Sequence, residues 1–177
     1  MTLEYTNAFE RLVTPFAVAK DVTILPGDYA FGQSKVSYMF SPSRPLSGFV
    51  SVTYGDFYGG TLTEASWRGR VEFSSHLYAE LILSFNHVAG PFGTGNTNLI
   101  GSRVTYTISP RMFVSVLVQY QSFNETVTTN ARLRWEYSPG SELFVVYSDG
   151  RDTLGVGAPP PIINQSFVVK ATRLFRW

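Results

Sequence analysis

Apolar and polar residues alternate along this chain with a period of two. From Asn130 to Tyr137, Ala131, Leu133, Trp135 and Tyr137 fall on one face and Asn130, Arg132, Arg134 and Glu136 on the other. Glu64 to Phe73 repeats the pattern, with Ala65, Trp67, Gly69, Val71 and Phe73 opposed to Glu64, Ser66, Arg68, Arg70 and Glu72. Met112, Val114, Val116, Val118 and Tyr120 stand against Ser115, Gln119 and Gln121, and Ser102, Val104, Tyr106 and Ile108 against Arg103, Thr105 and Thr107. A helix of about 3.6 residues per turn would scatter these positions around its circumference, whereas a strand sorts them into two faces.

Pro, Gly and Ser mark tight connections at Ser41 to Pro45, Ser74 to His76, Ser109 to Arg111 and Ser138 to Ser141. Longer, Gly-rich or polar connections are expected at Gly55 to Gly60, Ala89 to Thr97, Asn124 to Val127 and Asp149 to Asn164. The strands then lie near residues 2–12, 30–40, 46–57, 61–73, 77–88, 98–108, 112–123, 128–138, 142–149 and 165–177. Short and long connections alternate in this reading, which puts both termini on the tight-turn side.

Alternation alone does not say which face is inside, because a soluble barrel buries its apolar face and a membrane barrel turns it to lipid. Three features favour lipid. Strands of about 9 to 12 residues suit a tilted crossing of the hydrocarbon layer. Tyr54, Phe85, Tyr120 and Tyr147 gather near the long-connection ends and Tyr38, Phe40, Phe73, Tyr106, Tyr137, Phe175 and Trp177 near the other, as interfacial aromatic belts do. The polar face also mixes charges of both signs: Glu64, Arg68, Arg70, Glu72, Glu80, Arg103, Arg132, Arg134, Glu136 and Lys170 are expected to face a lumen. Trp67, Val71, Val114, Val116, Leu133 and Trp135 are expected to face lipid. The fold class is therefore all-β: an antiparallel up-and-down transmembrane β-barrel of about ten strands, or the terminal part of a larger one, with residues 1–177 as one domain.

Composition narrows the partners. Fourteen Lys and Arg against thirteen Asp and Glu leave a formal charge of +1, and Lys20, Lys35 and Lys170 are the only lysines, so no basic footprint for nucleic acid exists. Cysteine is absent, which excludes disulfides, thiolate metal sites and Cys nucleophiles. No basic and apolar leader opens the sequence. A fragment or a subunit of a larger assembly is the corresponding expectation, with the lipid bilayer and other envelope chains or an upstream segment as partners.

Phe9 to Leu12 with Pro26 to Tyr29, Arg44 to Gly48 leading to Gly55 to Gly59, and Asn130 to Gly140 continuing to Leu143 to Tyr147 and Asp149 to Asp152 add a resemblance. Together they resemble the carboxyl-terminal barrel region of a large, poorly characterised bacterial outer-membrane family in which a carbohydrate-binding-like β-sandwich precedes the barrel. The resemblance implies the barrel fold and an outer-membrane location. It brings no activity to any residue.

No motif points to an enzyme. His76 lies in a tight turn beside Ser75, and His87 ends a strand near the rim where Asp56, Asp149 and Asp152 are candidate neighbours. Asp149 to Asp152 lacks the spacing and distal Glu of a calcium loop. Gly155, Gly157 and the Gly93 to Gly95 segment precede no helix and so form no phosphate cradle. No cofactor, metal or catalytic residue is expected. Passage of small polar solutes through the charged lumen is the leading reading. A structural barrel subunit of a larger envelope complex comes second, ahead of an outer-membrane hydrolase and a soluble ligand-binding barrel.

Overall fold

The alternating segments become strands of one antiparallel sheet. The computed structural model describes residues 1–20, 22–153 and 161–175. The strands are β1 (Thr2–Leu12), β2 (Phe16–Ala19), β3 (Val22–Ile24), β4 (Gly27–Phe40), β5 (Leu46–Phe57), β6 (Gly60–Glu72), β7 (Leu77–Gly90), β8 (Gly93–Ser109), β9 (Met112–Gln121), β10 (Thr126–Ser138), β11 (Ser141–Asp152) and β12 (Ile162–Thr172). Ten of them form a sheet in the order β1-β4-β5-β6-β7-β8-β9-β10-β11-β12, and β2 and β3 form a separate hairpin. Apart from that hairpin, each strand neighbours the next in sequence, which is the up-and-down arrangement. No helix among the described residues is long and apolar enough to cross a membrane.

Register runs without interruption where β1 meets β4, from Thr2 opposite Ser37 to Leu12 opposite Gly27. Bulges interrupt it between Glu136 and Ser138 on β10 and between Gly150 and Arg151 on β11.

The connections depart from expectation. Three of the segments expected to be long are tight turns of two to four residues, at 58–59, 91–92 and 122–125, because their glycines and polar residues belong to the strands. The β5 to β6 turn shows how. Tyr58 and Gly59 both adopt positive φ, 48° and 80°, as a two-residue hairpin turn matched to strand twist requires. Gly93 at φ 111° and Glu125 at φ 50° serve the next two turns. The segment between β1 and β4, to which the alternation assigns no strand, holds the hairpin. The connection after β11 and the aromatic end at Trp177 fall partly on 154–160 and 176–177, outside the described residues.

Contacts group the residues into two units: Met1–Gly69 with Ile82–Ile100 and Gln121–Asn124, and Arg70–Leu81 with Gly101–Tyr120 and Glu125–Trp177. In the first, Ala19, Val22 and Val88 are buried together, with Val18, Phe57, Leu62 and Phe92 packed around them. On parts of β4, β5 and β8 the usual order of burial is reversed, whereas Arg68, Arg103, Arg132 and Lys170 are exposed and Val71, Val114, Val116 and Leu133 are half-buried. On β5, Ser51 and Thr53 are 3% and 8% exposed while Val52 and Tyr54 are 48% and 60% exposed. In the second unit Thr105 is 6% exposed between Val104 at 42% and Tyr106 at 51%. A water-soluble sheet would reverse each of these pairs, because apolar surface left in water costs about 25 cal/mol per Å².

Candidate functional site

The sheltered polar face is the candidate site, and strand register assembles it. In the first unit, Glu4 stands opposite Lys35 and Lys35 opposite Thr53. Ser37 is opposite Ser51, whose Oγ shares a 2.9 Å hydrogen bond with Ser66 Oγ. Period two puts Ser66 on the face of Glu64 and Arg68. Lys35, Ser51, Glu64, Ser66, Arg68 and Ser84 border a cavity of about 760 Å3 whose lining also includes the apolar Phe49, Trp67, Ile82 and Leu99.

The second unit carries most of the charges. Arg70 Nη2 lies 3.0 Å from Glu72 Oε1, and its guanidinium sits 3.7 Å above the Tyr78 ring. Arg103 Nη1 is 3.6 Å from Glu80 Oε2, and Arg134 pairs with Glu142. Glu136 accepts a hydrogen bond from the Gly140 N–H at 3.1 Å. Glu80, Arg103, Thr105, Ser115, Asn130 and Arg132 border a hollow of about 370 Å3, in which Thr105 donates to Ser115 at 3.4 Å. Arg132 and Lys170 border a second hollow of about 320 Å3 together with Phe144, Val146 and Val168. Pairing thus neutralises Arg70, Arg103 and Arg134. Glu64, Arg68, Arg132 and Lys170 have no ionic partner among the described residues.

On the apolar face Trp135 is 43% exposed and its ring meets Tyr137 edge-on at 6.0 Å. Trp67, Val71, Val114, Val116 and Leu133 are half-buried. The Trp67 indole lies across Gly69, in the space a side chain there would fill.

Neither histidine sits in a catalytic array. Ser75 Oγ and His76 Nδ1 are 3.0 Å apart in an exposed turn. His87 Nδ1 lies 2.7 Å from Asn96 Oδ1, while Asp149 holds Arg151 at 2.6 Å and Asp56 accepts from the Gly32 N–H at 3.4 Å. No group of three or more His, Asp or Glu gathers among the described residues.

Sequence reasoning missed three participants. Glu142 becomes a partner only through the turn that brings β11 back along β10, and Tyr78 only through the return of β7 along β6. Tyr58 is the third. Its ring is enclosed by Phe16, Tyr29, Phe31 and Phe57, with centroids 4.7 to 6.5 Å away, and its hydroxyl donates to Glu10. Burial first, then the Glu10 carboxylate, push the phenol up to about 12.

The class these observations define is an all-β, antiparallel up-and-down sheet, in parts of which sheltered serines and threonines alternate with open valines and tyrosines. Among solved structures the chain is similar to a KdgM porin in complex with disordered oligogalacturonate, at 11% identity and a TM-score of 0.41 over 96% of this chain and 88% of that one. A second, described as KdgM porin, matches at 11% identity and a TM-score of 0.40 over 84% of each chain. No protein-family model matches, and neither does any curated protein sequence.

Proposed function

We propose that the chain is a barrel-forming protein of the bacterial outer membrane that lets small polar solutes pass along its charged face. The reversed burial carries this reading: exposed valines and tyrosines beside sheltered serines and threonines are stable in lipid and costly in water. In it, Trp67, Val71, Val114, Val116, Leu133 and Trp135 meet lipid. Glu64, Arg68, Arg70, Glu72, Glu80, Arg103, Arg132, Arg134, Glu136 and Lys170 line the passage. Backbone groups left unpaired in hydrocarbon cost several kcal/mol each, so β1 and β12, the ends of the strand order, require pairing in the membrane. Their partners are each other, another envelope chain, or an upstream part such as the sandwich-bearing family would supply.

The ion pairs of Arg70, Arg103 and Arg134 favour a second reading, a structural barrel subunit whose charges cancel and close the bore. Single-channel recording in a planar bilayer separates the two. Steady currents altered by Arg132→Gln with Arg134→Gln are the expected result. Silence across a range of voltages and solutes supports the structural subunit, and a hydrolytic activity abolished by His87→Ala overturns both.

A further inference from the structure

The β2–β3 hairpin lies on the polar face of the sheet. It touches Phe57 on β5, Leu62 on β6, Val88 on β7 and Thr97 on β8, the four strands next to one another in the order. Each contact falls on the sheltered side by the period of its strand. Phe57 shares a face with Ser51 and Thr53, Leu62 with Glu64 and Ser66, Val88 with Asn86 and Ser84, and Thr97 with Gly95. At the end of these strands that carries the 58–59 and 91–92 turns, therefore, this mixed face carries a continuous apolar bed.

The fit is close. Ala19, Val22, Ile24 and Val88 are nearly inaccessible to solvent. Thr97 Oγ1 donates to the Val18 carbonyl at 3.0 Å. A Cβ on Gly95 would come within 2.6 Å of the Ala19 Cβ and 2.9 Å of Val22 Cγ2, so only glycine lets the hairpin settle there. Phe16 reaches the Tyr58 cluster and ties the hairpin to the β5–β6 turn.

We infer that the β2–β3 hairpin is a fixed constriction of the passage and determines the size of solute admitted. The inference rests on the proposed passage. A connection that only joined β1 to β4 would need no apolar bed on the polar wall; this one occupies space that would otherwise be open to solute. Its packing is that of a core, so it narrows the bore permanently instead of opening and closing.

The test uses the full chain in planar bilayers, with residues 15–24 replaced by a short Gly-Ser linker in one variant and Gly95→Val in another. Valine at 95 lifts the hairpin without removing it. Both variants are expected to raise unit conductance about two-fold or more and to admit larger neutral sugars in vesicle swelling. In this cysteine-free chain, Val88→Cys should react with a water-soluble thiol reagent about 10-fold faster once the hairpin is deleted. A silent parent with a conducting deletion overturns the sizing role, the hairpin then being a plug that lets no solute pass in the intact chain. Equal conductance of parent and both variants, or equally fast labelling of Val88→Cys with and without the hairpin, overturns the constriction and leaves the passage standing. Silence from parent and variants alike overturns the passage itself, and the constriction with it.

Discussion

Ser115 and Val116 are adjacent on β9 and point to opposite faces, so they report facing most directly. With the proposed facing, Val116→Arg puts a guanidinium into lipid near mid-membrane and is expected to cost about 2 to 4 kcal/mol of stability in vesicles. Ser115→Arg extends into the hollow beside Thr105 and should cost under about 1 kcal/mol by urea titration. The opposite ranking would mean that the apolar face is the inner one. Tyr58 gives a pH prediction. Its folded phenol holds the proton more tightly than the ordinary value of 10.0, with the folded value about 12. The resulting stability is complete below pH 10 and is lost as pH rises through 12. Tyr58→Phe should flatten that alkaline limb when unfolding is followed by circular dichroism. Alternation was legible at this scale, since adjacent residues such as Ser51 and Val52 differ in both polarity and exposure. The enclosure of Tyr58 was not, because its neighbours come from β1, β2, β4 and β5 and no local pattern joins them.

Long strands were legible as elements because ten or more alternating residues fit only one geometry. β1 and β5 run over Thr2–Leu12 and Leu46–Phe57, the spans the alternation predicts. The turns were misread where glycine signals two different things. Gly60 and Gly90 are strand residues at a close cross-strand approach, whereas Gly59 supplies a turn conformation. Gly59→Ala should therefore destabilise the β5–β6 hairpin by about 1 to 2 kcal/mol, read as a lower urea midpoint with unchanged slope. The β2–β3 hairpin escaped notice because strands of four and three residues are too short to show a period. A signal for it does exist on the opposing strands. Leu62 is apolar on a face of β6 that otherwise carries Glu64, Ser66, Arg68 and Arg70, and Val88 ends the mixed face of β7; apolar residues so placed need something apolar to cover them.

Over the whole molecule, the open apolar face governs behaviour outside a membrane. Leu3, Tyr5 and Phe9 on β1 and Phe167 and Val169 on β12 are all more than half exposed, and these strands end the sheet order. Without detergent or lipid, sedimentation should find the refolded chain in large aggregates, since an apolar face and a free edge both recruit further chains; a stable monomer in plain buffer would remove the case for lipid. The indole of Trp67 across Gly69 and the open ring of Trp135 give the same surface an optical use. Trp67 lies near the middle of β6, whereas Trp135 is three residues from the end of β10, about 10 Å along the strand. The chain thus carries its own fluorescent depth markers at two levels. With the third indole removed by Trp177→Phe in both, bromine placed deep in the acyl chains should quench emission from a Trp135→Phe variant more strongly, and bromine near the headgroups that from Trp67→Phe, so the bilayer could be located against the sheet without attaching a label.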